Sequence, residues 1–260
     1  MAGIHPSAVI ADGAQIGADC SIGPFCVIGP DVVLGDGVTL KSHVVVDGDT
    51  QIGAGTVVFP FSVIGEIPQD LKFAGEKTQL RIGARNRIRE HVTINTGTAQ
   101  GGGITRVGDD GLFMAGCHIA HDAQIGDRVI IVNSSAVAGH CVIEDDVIIG
   151  GLCGVHQWVR IGQGAIIGAV TMVTADVVPH GLVQGPRGVL DGLNLVGLKR
   201  KGVDRADITA LRAAFQMLKD GEGNFQDRAR KLGDESDSPY VQDMVRFILG
   251  PSDRNFLTPG

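Results

Sequence analysis

The chain has 260 residues, enough for one large domain with a smaller appendix. Hydrophobic residues make up 43% but aromatics only 4%, so small aliphatic side chains must fill the core, and 39 glycines point to many tight corners. A net charge of −7 gives no reason to expect nucleic acid, no apolar run approaches the ~20 residues that span a bilayer, and the N-terminal stretch lacks the basic-then-apolar pattern of a secretory signal.

From Ile4 the sequence divides into sixes. Eleven consecutive hexads, through the one at Ile64, begin with Ile, Leu or Val. The register lapses over residues 70–81, returns at Ile82, Ile88 and Ile94, and lapses again through 96–106. From Val107 it runs in a new phase for twelve hexads to Val173, and only Phe113 among their first residues is not branched aliphatic. A helix cannot hold a six-residue repeat against its 3.6-residue turn. A parallel β-helix can. The pattern resembles the left-handed hexapeptide β-helix, in which three hexads make one coil and coils stack ~4.8 Å apart. The expected fold is an all-β main domain, a left-handed parallel β-helix over residues 1–184, with loops near 66–81 and 96–106, followed by a C-terminal α-helical domain over 185–260. Long loops on a regular scaffold are places to look for function.

Cys20, Cys26, Cys117, Cys141 and Cys153 all occupy the fifth position of their hexads, where a small residue faces the prism interior. Buried reduced thiols are expected there, which suits a cytoplasmic location and argues against disulfides. After the hexads, Ile208, Leu211, Phe215 and Leu218 have helical spacing, with Asp204 or Asp207 to cap the helix and Gly221 to stop it. A second helix is expected over "SPYVQDMVRFIL" and a short one over "NFQDRARKL".

Coil arithmetic then gathers distant residues. Eighteen residues after His121 comes Gly139, and after that Gln157. Asp122 leads in the same way to His140 and Trp158. His118, His121, His140 and His156, four of the eight histidines, thus converge with Asp122 and Gln157 on one prism edge, in a patch ~10 Å tall. Three chemistries fit: metal binding, general-base catalysis by a histidine whose tautomer an aspartate holds, or simple surface polarity. The adjacent Asp and the glycine above His121 suit acyl transfer better than a metal, because glycine lets a ligand approach the backbone and its N–H can stabilise an oxyanion.

At these residues the chain resembles the acyl-[acyl-carrier-protein]–UDP-N-acetylglucosamine O-acyltransferases, which catalyse the first step of lipid A biosynthesis. The matching stretches are "IGPFCVIGP", "LKSHVVV", "QDLKFAGE", "RNRIRE", "GTAQGGG", "HIAHD", "AGH", "IIGG", "VHQ" and "GLKRKG", and together they cover essentially the whole chain. The resemblance implies a homotrimer with active sites between neighbouring prisms. It implies transfer of an R-3-hydroxyacyl group from acyl carrier protein to the glucosamine 3-hydroxyl, without metal, cofactor or covalent intermediate. By the matched motifs His121 is the general base, Asp122 its orienting carboxylate and Gly139 the oxyanion donor. Gln69, Asp70, Lys72, His118, His140, His156, Gln157, Asn194 and Arg200 match substrate contacts, and Ala169 matches the position that bounds acyl length. Arg81, Arg85, Arg87, Arg89 and Arg106 are candidates for docking the acidic carrier. Val196 stands where many members carry a carboxylate, Lys201 replaces a common second arginine, and Asn95 and Thr96 replace a frequent His-Arg pair. These departures leave the 3-amine of a UDP-diamino sugar as an alternative acceptor. The related N-acyltransferases carry an extra N-terminal domain for which hexads beginning at Ile4 leave no room. A γ-type carbonic anhydrase, another trimeric prism, would instead need three histidines on zinc.

Overall fold

A computed structural model describes residues 3–259; the outermost residues of the two expected domains, 1, 2 and 260, lie outside it. Most hexads lay down a two-residue strand whose second residue is the repeated aliphatic. Strands pair in parallel one coil apart, as Gly3 with Ser21 and Ile4 with Ile22. They form three faces, here called A, B and C in the order the chain first visits them, of eleven, nine and eight strands. The result is a left-handed β-helix. Its interior is a set of aliphatic stacks: on face A, Ile22, Leu40, Val58, Ile88, Phe113, Ile131, Ile149 and Ile167 are each at most 1% exposed.

The turn between faces is made by the fourth residue of the hexad. Sixteen non-glycine residues among those described have φ between 53° and 68°, and all are edge residues of this kind. That region costs an L-residue roughly 1–2 kcal/mol. The coil repeats the cost and offsets it with backbone ladders and edge stacking. On the edge between faces A and B, His43 lies between Phe25 and Phe61 at 4.9 and 5.1 Å, and Phe61 stacks on His91 at 5.1 Å.

The two lapses are insertions into this coil. Ile52 pairs with Ile82, thirty residues on, and Ile82 with Val107, twenty-five on. The first coil therefore holds twelve extra residues, which is two hexads and keeps the phase. The second holds seven, which is not a multiple of six and shifts it. The strands Gln79–Ile82 and Ile104–Val107 take up the last residues of the expected loops. Both insertions leave face B and return on face C, so both project from the B–C edge, one coil apart.

A hairpin, Gly181–Gln184 with Val189–Leu193, closes face A and turns the chain antiparallel. Four helices follow: α1 (Leu195–Arg200), α2 (Arg205–Asp220), α3 (Phe225–Glu235) and α4 (Pro239–Leu249). The short α1 has no apolar period to announce it; Asn194 starts it by accepting from the Gly197 N–H at 2.9 Å. Asp204 holds the N-cap of α2 without a side-chain bond, and Gly221 ends the helix. The tail then returns to the prism. Asp176, fully buried, receives Arg160 Nε at 2.7 Å and Ser252 Oγ at 2.6 Å, and its backbone exchanges bonds with Asn255 and Leu257 at 2.8 Å each.

The five cysteines are free and buried, none more than 3% exposed. Burial pushes the thiols of Cys117 and Cys141 up to about 11 and about 12. A thiol reagent at neutral pH is expected to leave the folded protein unmodified and to label all five after denaturation; fast labelling of native protein would contradict this packing. His180, 4% exposed, lies 5.5 Å from the Tyr240 ring of α4. Burial, then the Lys201 charge, pushes its pKa from 6.5 down to about 4. Between those values the unfolded chain binds a proton that the folded chain refuses, so this stability is complete above pH 6.5 and is lost as pH falls toward 4. Denaturant midpoints measured across that window should fall less in His180→Gln than in the wild type, and equal falls would assign the loss to other groups.

Candidate active site

The B–C edge carries the histidines. His121 closes the turn after the strand His118–Ile119, and Asp122 is the left-handed residue of that turn, with φ 60°. One coil on, the His140 N–H donates to the His121 carbonyl at 3.1 Å; another coil on, the Trp158 N–H donates to the Gly139 carbonyl at 3.1 Å. The eighteen-residue columns are therefore physical contacts. The His140 ring meets His121 edge-on at 4.9 Å and stacks on Trp158 at 3.9 Å, only 7° from parallel.

His121 Nδ1 lies 2.8 Å from Asp122 Oδ2. A carboxylate only accepts, so Nδ1 carries the proton and Nε2 keeps its lone pair. Asp122 is 3% exposed, and the second loop reaches it with donors that offset the cost of burying a carboxylate. The Thr98 N–H donates to Oδ1 at 2.9 Å and the Thr98 hydroxyl to Oδ2 at 2.6 Å. Thr105 Oγ1 accepts from the Asp122 N–H at 2.7 Å. A Cβ on Gly101 would fall within about 2.1 Å of the Asp122 carboxylate, so only glycine lets this loop lie so close. Thr98, Gly101 and Thr105 were not among the residues singled out from sequence. The eighteen-residue arithmetic does not reach them, because the seven extra residues bring both ends of the insertion, at Thr98 and at Thr105, to Asp122.

Gly139 lies against the imidazole of His121. A Cβ there would come within 2.7 Å of Nε2 and 2.6 Å of Cε1. Its carbonyl is engaged by Trp158, while its N–H has no acceptor within the chain among the described residues. His118 lies one turn earlier on face B and bonds Thr93 Oγ1 at 2.7 Å through Nδ1. Burial, then the His121 charge, lowers its pKa. Burial also lowers that of His140, against the pull of Asp122, whose Oδ2 lies 3.7 Å from its Nδ1. In the first loop, Asp70 acts to raise that pKa and Lys72 to lower it. That loop is tied by its own turns, with Asp70 accepting from the N–H groups of Lys72 and Phe73 at 3.0 Å each; Gln69 is exposed on it. His156 and Gln157 are exposed at the upper end of the edge, where Arg254 of the tail meets them.

Three expected residues lie elsewhere. Asn194 donates to the Gly164 carbonyl at 2.9 Å and, with Arg200, lines a cavity of about 150 Å³ on the edge between faces C and A. Ala169 is exposed on the A–B edge. Within one chain, neither group shares an edge with His121. The five arginines also do not form one patch. Arg81 and Arg106 are on face C, Arg87 on face A, Arg85 is bound by Asp109 and Asp110, and Arg89 pairs with Glu90. Their closeness in sequence wraps around the prism, because successive hexads face different ways.

His121, Asp122 and His140 bring three ligand atoms within 4.8 Å of one another, a spacing a metal ion could use. Both oxygens of Asp122 already accept from Thr98, and Oδ2 from His121 as well. This arrangement suits a carboxylate that orients a base, and it offers two histidines and not three.

Comparison with known proteins agrees with this geometry. Residues 176–257 match the family model described as Udp N-acetylglucosamine O-acyltransferase, domain 2, and residues 2–30 and 13–48 match the bacterial transferase hexapeptide model. An acyl-[acyl-carrier-protein]–UDP-N-acetylglucosamine O-acyltransferase of Paracoccus denitrificans is 68% identical over 78% of this chain and 77% of its own length. The enzyme of that name from Agrobacterium fabrum is 45% identical over 98% of this chain and 95% of its own. The solved UDP-N-acetylglucosamine acyltransferase from Campylobacter jejuni superposes with a TM-score of 0.93 at 38% identity, covering 99% of this chain and all of that one. With full-length relatives at this identity and the same β-helix beneath the His-Asp edge, the chain belongs to the acyl-[acyl-carrier-protein]–UDP-N-acetylglucosamine O-acyltransferase family.

Proposed function

We propose that the protein transfers an R-3-hydroxyacyl group from acyl carrier protein to the 3-hydroxyl of UDP-N-acetylglucosamine, the opening reaction of lipid A biosynthesis, in the cytoplasm. The observation that carries the mechanism is the 2.8 Å contact between His121 Nδ1 and Asp122, which leaves Nε2 as a free base above Gly139. Nε2 takes the proton of the sugar hydroxyl as its oxygen attacks the thioester carbonyl carbon. Negative charge gathers on the carbonyl oxygen, where the unengaged Gly139 N–H supports it. The intermediate then collapses, the carbon–sulfur bond breaks, and the imidazolium returns its proton to the departing thiolate. Asp122 stabilises the imidazolium throughout. No step needs a metal or a redox cofactor, and the family does not favour the carbonic anhydrase reading. No helix among the described residues is long and apolar enough to cross a membrane.

The sugar nucleotide and the acyl chain are placed by Gln69, Asp70, Lys72, His118, His140, His156 and Gln157 on the B–C edge and by Asn194, Arg200 and Ala169 on the other two. A homotrimer joins these sets. A head-to-tail contact that closes on a three-fold axis sets one edge of a prism against a different edge of its neighbour. Residues on separate edges of one chain would then line one cleft. Arg200 supplies a guanidinium suited to phosphate. Ala169 borders exposed Leu152, Val170 and Met172, at 66%, 61% and 54%, an apolar strip of the kind an acyl chain would cover.

Purified protein given R-3-hydroxyacyl carrier protein and UDP-N-acetylglucosamine should form the 3-O-acyl product; no product with this acceptor would overturn the assignment. His121→Ala should lose ~10²–10⁴-fold in turnover with its oligomer intact. Asp122→Asn should lose less, because the base survives with its tautomer unfixed. Near-normal turnover by His121→Ala would refute the base assignment. For acyl length, Ala169→Gly should shift preference to longer chains and Ala169→Met to shorter ones, with ~1–3 kcal/mol of discrimination per methylene. Identical chain-length profiles for all three proteins would place the limit elsewhere in the groove.

A further inference from the structure

His156 and Gln157 are met by a residue that no repeat connects to them. Arg254 Nη2 lies 2.7 Å from His156 Nδ1, and Arg254 Nε donates to the Gln157 carbonyl at 3.1 Å. The tail that presents Arg254 is anchored nearby. Ser252 Oγ donates to the buried Asp176 carboxylate at 2.6 Å and accepts from the Arg254 N–H at 3.0 Å. The guanidinium is thus delivered to the edge by a fixed segment.

A guanidinium has donors and no acceptor. The ring nitrogen facing it must accept, so the lone pair is on Nδ1 and the proton of the neutral ring is on Nε2. The Gln157 carbonyl, 3.2 Å from the same Nδ1, would favour the opposite tautomer. Arg254 also donates to that carbonyl, so one guanidinium serves both acceptors and the shorter contact, at 2.7 Å, is the one to Nδ1. We propose that Arg254 is a positioning residue that fixes His156 as the Nε2–H tautomer, making the free end of the ring a hydrogen-bond donor to a substrate oxygen, carbonyl or phosphate. His121 is held the other way, with a carboxylate on Nδ1 and a lone pair on Nε2. One edge would then hold two histidines of opposite tautomer, one to take a proton and one to offer a hydrogen bond.

This inference rests on the proposed contact between His156 and substrate, and its test separates the two. Nitrogen-labelled histidine is followed by NMR in the full-length protein, wild type, Arg254→Lys and Arg254→Ala, with His156→Ala to assign the signal. In the wild type, His156 should show an unprotonated Nδ1 and a protonated Nε2. Arg254→Ala should mix the tautomers and lower kcat/KM about tenfold, the order expected for one net hydrogen bond. His156→Ala should cost a similar factor, and the double substitution little more than either alone, because both act through one ring. Arg254→Lys keeps the charge and one donor and should fall between, which controls for a loosened tail. A proton on Nδ1 in the wild type overturns the proposal, as does an Arg254→Ala protein with unchanged tautomer and kcat/KM. If His156→Ala is silent, the substrate contact itself fails, and the wild-type spectrum shows that failure to be distinct from a failure of the tautomer assignment.

Discussion

A turn every six residues governs this molecule. It forces a residue into the left-handed backbone region at each prism edge, and sixteen of those described are not glycine. The strain is tolerable because every coil repeats it in register, so the backbone ladders and the side-chain stacks along the edges all add in the same direction. The same periodicity makes the edges chemically distinct. Equivalent positions recur every eighteen residues, so a side chain at an edge meets the coils above and below. Asp122, His140 and Trp158 are such a column, and Phe25, His43, Phe61 and His91 are another.

Insertions are compatible with this scheme only at an edge, where the ladder is already interrupted. Both long insertions leave from the edge that holds His121, and the second supplies donors to both oxygens of Asp122. A carboxylate 3% exposed would be costly without them. The order of this loop and the orientation of the His121 ring are therefore one property. Thr98 binds the aspartate, the aspartate binds His121, and Gly101 lets the loop come close enough for the first contact.

The C-terminal segment obeys different physics. Its helices pack by apolar faces, but its last residues are held to the prism by Ser252 and backbone bonds to Asp176, a buried carboxylate already paired with Arg160. Arg160 and Asp176 bond at 2.7 Å, the guanidinium lies 4.4 Å over the Phe247 ring of α4, and Ser252 completes the carboxylate. A pair this buried needs every partner present. The tail is accordingly fixed where it crosses the B–C edge, and Arg254 meets His156 as a consequence.

Much of this was legible in the residues alone. The hexad rule determined the β-helix, the interior position of all five cysteines and the columns that set Gly139 over His121 and His140 over Asp122, because a strict period converts sequence distance directly into height on the prism. The helical periods of α2, α3 and α4 were equally plain, whereas α1, with no apolar repeat, was not. Tertiary structure alone decided what the period does not encode. It put Thr98 on Asp122 through an insertion out of phase with the repeat, and it brought Arg254 to His156 across 98 residues of chain. It also set Asn194 and Ala169 on edges other than that of His121. A repeat determines contacts within its own lattice; contacts made by insertions, tails and other edges depend on how the chain leaves that lattice and returns.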